Sequence, residues 1–312
     1  MKKSVAAAIL TLSLLAVQPA FTATAASKPK TTINTTMVAL PKLVEAPFFQ
    51  GAGGGWSETL ISKRGIYLVG SSEPTGAPTQ GEVISIDPRT GATLWDLPIP
   101  SVSDAIATAA ILDPSGNIWV AGSAAQTSET PVPTPVPTPS GILNPSGVVI
   151  TSHPPTRAGL TEISLWEISP AGQLIASYQY DAKTVVLPES ILYSKNSFQI
   201  AGRDFSIAMD RLGNFSKFIV AQPVPKKTIT TVNFKDGLYI WKSYLSKSVI
   251  AGVSGWKPTS PGQVVLKVGG RTGHIYGAFK VTNNLLKIDF LIGVGVVVTS
   301  SNANGYVISL LK

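Results

Sequence analysis

The chain has 312 residues, 44% of them apolar and only 13% charged, which excludes global disorder and fits one large buried domain or two smaller ones. Its formal net charge of +8 is spread thinly, with no basic run longer than a pair such as Lys226 and Lys227, so the basic stripe that nucleic-acid binding requires is missing. Cysteine is absent and His153 and His274 are the only histidines, which excludes disulfide staples and a zinc-type ligand set.

Residues 1–25 read as a secretory signal: Lys2 and Lys3 form the charged start, Val5 to Val17 the apolar stretch, and Ala23-Thr24-Ala25 an A-x-A cleavage site. The mature protein is expected to begin near Ala26, with a net charge of +6 once the two lysines are gone, and to be secreted or held in the cell envelope. An uncleaved anchor is the alternative, disfavoured because the apolar run is short for a bilayer span and Pro19 follows it. With no cysteine behind that run, attachment through a lipid-modified thiol is ruled out.

Residues 26–56 form an N-terminal segment. Its stretch Thr32 to Leu40 is strand-like, Pro41 ends that strand, and the glycine run Gly51 to Gly55 leads irregularly into Trp56. From 57 to 312 the chain repeats a unit of four short strands separated by turn residues. The clearest copy is Gly81 to Trp95, a strand, the turn Asp87-Pro88-Arg89-Thr90-Gly91 and a second strand closed by tryptophan. An echo runs from Gly262 to Tyr276, with Arg271 matching Arg89 182 positions later. Repeats of this length bury their apolar faces only against their neighbours.

Four full units can be laid down, and a fifth, from Leu285 to Leu311, stops one strand short. The pattern predicts an all-β fold, a β-propeller of five four-stranded blades whose last blade borrows its outer strand from the N-terminal segment. Trp119, Trp166 and Trp241 fall on strands and are assigned to the core. Residues 124–159 interrupt the second unit as a long loop around TPVPTPVPTPS, Thr130 to Ser140, whose alternating prolines favour an extended polyproline conformation. It reads either as an exposed insertion without function or as a docking site for a proline-recognising partner.

The stretch Gly65 to Ser71 followed by Gly81 to Trp95 resembles the repeat of pyrroloquinoline-quinone-like β-propellers, which runs roughly VYVGS…GxLxALDxxTGxxLW. The resemblance is good in the first unit and partial elsewhere. It implies that Trp95 packs between adjacent blades, with Tyr276 in the corresponding place of the fourth unit; Ala176 and Phe218 stand near that position in the second and third. The family contains quinone-dependent dehydrogenases, often with adjacent cysteines and calcium-holding acidic residues, and also exported propellers without a cofactor. A chain with no cysteine and no acidic run resembles the second branch, which implies no bound cofactor or metal.

Other chemistry finds little support in the residues. No G-x-S-x-G nucleophile elbow occurs, and the run Gly51 to Gly55 fails the dinucleotide pattern because Trp56 takes the last glycine's place. A glycoside-active enzyme needs two converging carboxylates; Asp104, Asp181, Glu189 and Asp204 are candidates, but the order of residues brings no pair together.

The long connections at 72–80, 124–159 and 244–262 all join second to third strands and therefore emerge on one face, which insertions of this kind often mark as the binding surface. Trp56, Trp256, His153, Arg157 and Arg203 are the candidate ligand contacts there; each is equally a packed or merely solvated side chain. The expectation is a monomeric, non-catalytic scaffold for a protein or cell-wall polymer. The alternative is an extracellular enzyme, quinone-dependent or glycoside-active, with its site in the central funnel.

Overall fold

The computed structural model describes residues 38–101, 103–125, 159–220, 233–236, 239–244, 263–269, 275–281 and 284–312. Twenty-one strands lie among them. The N-terminal segment supplies β1 (Val38–Ala39) and β2 (Lys42–Ala46). Sheet I holds β3 (Gly55–Ile61), β4 (Ile66–Ser72), β5 (Gln80–Ile86) and β6 (Thr93–Pro98). Sheet II holds β7 (Ala105–Leu112), β8 (Ile118–Ala125), β9 (Leu160–Ile168) and β10 (Leu174–Asp181). Sheet III holds β11 (Pro188–Ser194), β12 (Ser197–Gly202), β13 (Phe205–Asp210) and the short β14 (Ile219–Val220). Sheet IV holds β15 (Asn233–Asp236), β16 (Tyr239–Tyr244), β17 (Gln263–Gly269) and β18 (Ile275–Val281), with β1 on its edge. Sheet V holds β19 (Asn284–Leu291), β20 (Gly295–Asn302) and β21 (Gly305–Leu311), completed by β2.

Within each sheet the chain-consecutive strands meander antiparallel, so every hairpin needs a turn. Three of the third-to-fourth turns use one device. The side-chain oxygens of Asp87, Ser169 and Asp210 accept backbone N–H groups two or four residues on, and Gly91, Gly172 and Gly213 follow with φ of +76°, +81° and +87°. These turns are structural, as their residue types indicate.

Burial grades outward. The second strands β4 and β8 are buried almost end to end, whereas the fourth strands β6 and β10 are largely exposed. A strand covered on both faces reads as a continuous apolar run, and an outermost strand does not. The core is accordingly divided into seams between sheets. Tyr67, Val83, Ile118 and Trp166 fill the I–II seam; Trp119, Leu165, Phe198 and Ile207 fill II–III. Ile66, Ile84, Val297 and Ile308 fill V–I, and Val265, Val281, Val296 and Val298 fill IV–V. First strands contact first strands across the seams, β19 to β3, β3 to β7, β7 to β11 and β15 to β19. Face-to-face sheets with their first strands inward are the arrangement of a β-propeller.

The closing strand differs from expectation in its position. It is β2, beyond Pro41, that pairs antiparallel with β21, with Val44 opposite Ile308. Of the anticipated strand Thr32 to Leu40, the part before Val38 lies outside the described residues, and Val38–Ala39 pair in parallel with β18 of the neighbouring sheet. Proline removes a donor but keeps its carbonyl, and the Pro41 carbonyl accepts from the Leu310 N–H at 3.3 Å. Pro41 thus marks a crossing between sheets and not the end of pairing. No described helix is long and apolar enough to cross a membrane.

Candidate functional site

Four of the five first strands carry a bulge at the same level, between Trp56 and Glu58, Ala107 and Ala109, Pro188 and Ser190, and Leu285 and Lys287. A bulge re-aims one side chain out of the ladder. Ser57, Thr108 and Glu189, three of the four extra residues, line one cavity of about 540 Å³ where the first strands begin. This mouth opens on the face from which the second-to-third strand connections emerge. Its frame is tied by hydrogen bonds across the I–II seam: Ser57 Oγ donates to the Ala107 carbonyl at 2.5 Å, and the Ala107 N–H donates to Ser71 Oγ at 2.9 Å. Thr108 Oγ1 donates to the Ala121 carbonyl at 3.3 Å. Glu189 is the one charged residue lining the mouth among the described residues, so the cavity offers hydroxyl oxygens, apolar walls and a single carboxylate.

Farther along the first strands, Lys287 joins two carboxylates. Its Nζ lies 2.6 Å from Glu58 and 2.7 Å from Asp289, and donates to the Thr59 carbonyl at 2.8 Å. Burial alone would push the Lys287 ammonium down; the charges of Glu58 and Asp289 outweigh it and hold it above the usual lysine range. The two bridging oxygens are within about 5.3 Å of each other, the sum of those contacts. Retaining glycosidases space their carboxyls at about 5–5.5 Å, but here the ammonium fills the space a glycosidic oxygen would take.

A second carboxyl pair lies on sheet I, at the edge of the V–I seam. Ile84 stands opposite Asp96 and Glu82 opposite Pro98, which makes Glu82 and Asp96 diagonal neighbours on one face. Burial, and then the charge and hydrogen bonding of Asp96, push the Glu82 carboxyl up to about 7, against a smaller opposing hydrogen bond from Ser72. Glu82 Oε2 is buried without a hydrogen-bond partner. The pair lines a groove of about 390 Å³ whose walls are residues 46–50, from the end of β2 into the β2–β3 connection, and residues 72–74, from the end of β4 into the β4–β5 loop.

The residues singled out from the sequence are scattered. Trp56 lines the mouth, and its indole donates to Thr59 Oγ1 at 3.0 Å while its N–H reaches Tyr306 Oη at 2.9 Å. Arg203 is exposed in the β12–β13 turn and does not line the mouth. His153, Arg157 and Trp256 lie outside the described residues. Trp95 Nε1 donates to the Pro170 carbonyl of sheet II at 3.2 Å, whereas Tyr276 is 54% exposed on β18. In the second unit two aromatics reach the next sheet: Tyr178, two positions beyond Ala176, packs on Gly213, and Tyr180 stacks on Phe218. Of the four carboxylates considered for catalysis, only Glu189 lines the mouth; Asp104 caps the Thr79 N–H at 2.9 Å and Asp181 pairs with Lys183 at 2.9 Å. Glu82 and Asp96 went unnoticed, although they stand symmetrically about the Asp87–Gly91 turn, five residues before and five after it. No group of three metal-ligating side chains occurs among the described residues.

No protein-family model matches the chain, and no curated protein matches it. Among solved structures it is similar to a protein of unknown function from Bacteroides caccae, at 10% identity and a TM-score of 0.35 over 80% of this chain and 72% of that one. It is similar to a gluconolactonase from Xanthomonas campestris at 13% identity and a TM-score of 0.32, covering 82% and 72%. A third similarity is to the hydrazine synthase of Kuenenia stuttgartiensis, at 12% identity and a TM-score of 0.30, where the chain spans 60% of the matched chain.

Proposed function

We propose that the protein is an exported, non-catalytic β-propeller of the cofactor-free, pyrroloquinoline-quinone-like kind, which binds a protein or cell-wall polymer through its loop-rich face. The observation that carries this reading is the mouth of the first strands. Bulges at one level aim Ser57, Thr108 and Glu189 into it, and the hydroxyls of Ser57 and Thr108 are tied to backbone carbonyls. A preformed cavity with few polar groups and one charge suits recognition.

Co-sedimentation of the mature chain with purified cell-wall sacculi tests the polymer arm, and crosslinking from a probe at residue 189 tests the protein arm. Retention lost in Glu189→Gln and in Thr108→Val supports the reading. Retention equal in both variants and the parent, with no crosslink at the mouth, overturns it.

The enzymatic alternative has one observation in its favour, that two carboxylates, Glu58 and Asp289, converge on one point beside the first strands. Hydrolysis of aryl glycosides by the parent chain, lost in Glu58→Gln, would establish it in place of the scaffold.

A further inference from the structure

First-to-second and third-to-fourth connections turn at the strand ends opposite the mouth, and there the V–I seam opens into a groove of about 600 Å³. Lys63 of the β3–β4 turn, Arg89 of the β5–β6 turn and Lys312 beyond β21 line it, with Phe290 and Val294 as its apolar wall. No acid lines it among the described residues. The carboxylates beside it in the chain are engaged. Asp87 caps the Arg89 N–H at 2.8 Å, and Asp289, next to Phe290, holds Lys287 at 2.7 Å. Set against the exposed cations Lys63, Arg64, Arg89 and Lys312, Asp87 and a carboxylate at residue 312 still leave two positive charges.

The II–III seam shows what is missing here. Arg211, in the corresponding third-to-fourth turn of sheet III, meets Asp113 of the β7–β8 turn at 3.3 Å and lies over the Tyr193 ring at 5.1 Å. The turn across the groove from Arg89, between β19 and β20, has no acid to offer: it reads Leu291, Ile292, Gly293, Val294. It raises an apolar side chain in that place. The Val294 N–H donates to the Leu291 carbonyl at 3.0 Å, which puts Ile292 and Gly293 at the tip, and Ile292 is 77% exposed.

We propose that this groove and the Ile292 tip dock on an anionic membrane surface, with phosphodiester headgroups in the groove and Ile292 at the boundary between headgroups and acyl chains. A planar guanidinium and two ammonium groups suit phosphate oxygens, and cations without an ion-pair partner gain most beside a negatively charged leaflet. An exposed isoleucine gains from partial burial among lipids. A soluble polyanion would engage the cations and leave Ile292 in water, so the lipid surface fits both parts of the site. With few charges and one apolar side chain, the attachment is weak and reversible. Docked this way the chain turns its mouth away from the membrane, and the proposal does not depend on what the mouth binds.

Co-sedimentation with vesicles tests it, using the mature chain so that the apolar stretch Val5 to Val17 does not itself bind lipid. Retention is expected on phosphatidylcholine vesicles containing about one third phosphatidylglycerol, not on phosphatidylcholine alone, and should fall as salt rises. Lys63→Gln and Arg89→Gln should each lower partitioning onto the anionic vesicles about fivefold. Ile292→Ser should lower it by about the same factor while leaving the salt dependence unchanged. Lys183→Gln, beyond β10 at the opposite strand ends, should bind like the parent. All four side chains are exposed, so the variants keep the fold, which thermal melts verify. No retention of the parent, equal retention on neutral and anionic vesicles, or retention unchanged in all three groove variants overturns the proposal. Loss in the two cation variants with Ile292→Ser binding like the parent also overturns it, in favour of a soluble phosphate-bearing polymer.

Discussion

Trp95 and Gly172 meet across the I–II seam with no room to spare: a Cβ built on Gly172 would lie 2.6 Å from the indole ring. The tryptophan stacks on Tyr67 of its own sheet, ring centres 5.8 Å apart, and donates to Pro170 just before the glycine. The same fit recurs at the next seam, where a Cβ on Gly213 would lie 2.5 Å from the Tyr178 ring. Outer strands are thus keyed to the following sheet by an aromatic lying on a turn glycine.

Gly172→Ala is expected to lower stability by about 2–4 kcal/mol, from a left-handed φ of +81° combined with the clash against the indole. Denaturant midpoints read this directly. Trp95→Phe, which keeps a ring but loses the bond to Pro170, should cost about 1 kcal/mol.

Glu82 makes stability fall with rising pH. Its carboxyl is pushed up to about 7 in the folded chain, so the folded state keeps a proton that the unfolded chain releases near 4.5. The contribution is fully present below about 4.5, is lost progressively up to about 7, and changes no further above that. Discounted for partial solvent exposure, the loss is about 1–2 kcal/mol. Glu82→Gln should flatten this part of the stability profile and be more stable than the parent at pH about 8.

Lys287→Met should destabilise by about 1–3 kcal/mol, because Glu58 and Asp289 would then face each other without a counter-charge. Adding Glu58→Gln and Asp289→Asn to that variant should recover most of the loss, as measured by urea unfolding. A triple variant no better than Lys287→Met would show that the lysine acts through packing alone.

Asp113 is 6% exposed and accepts from the Ser115 and Asn117 N–H groups, while Arg211 of sheet III reaches it at 3.3 Å. Asp113→Ala is expected to cost about 2–4 kcal/mol and Arg211→Ala, whose side chain is 44% exposed, about 1 kcal/mol or less. Thermal unfolding of the two variants should differ accordingly.

The strands and turns were legible in the sequence because their signals are local. Asp87 and Gly91 announce a turn wherever they are placed, and the stretch Gly65 to Ser71 reads as a buried strand from its own composition. Register between strands is not local. Sheets I and II carry the same bulge, so Ala176 holds the register place of Trp95, but the ring on the neighbouring glycine comes from Tyr178, two residues farther along the same face. The bulges that aim Ser57, Thr108 and Glu189 are silent, since none of the three is a glycine. Glu82 and Asp96 sit in one repeat at mirrored distances from its turn, so their proximity was readable, but residues 46–50, which wall the groove beside them, arrive from another sheet. Pro41 misled because proline ends a strand only when its missing donor is needed, and at the edge of sheet V its carbonyl sufficed.

The pairing of β2 with β21 joins residues near the start of the chain to residues 305–311. Val44 and Ile308, paired here, lie 264 positions apart, so β2 is synthesised long before β21. Until β21 is available, β2 lacks its antiparallel partner and sheet V its closing strand. The fold therefore carries a long-range clasp, and its closing step has the slow, non-local character of such contacts. A chain stalled or truncated before Gly305 would present β2 and β20 as unsatisfied edges, a state open to pairing with a second copy.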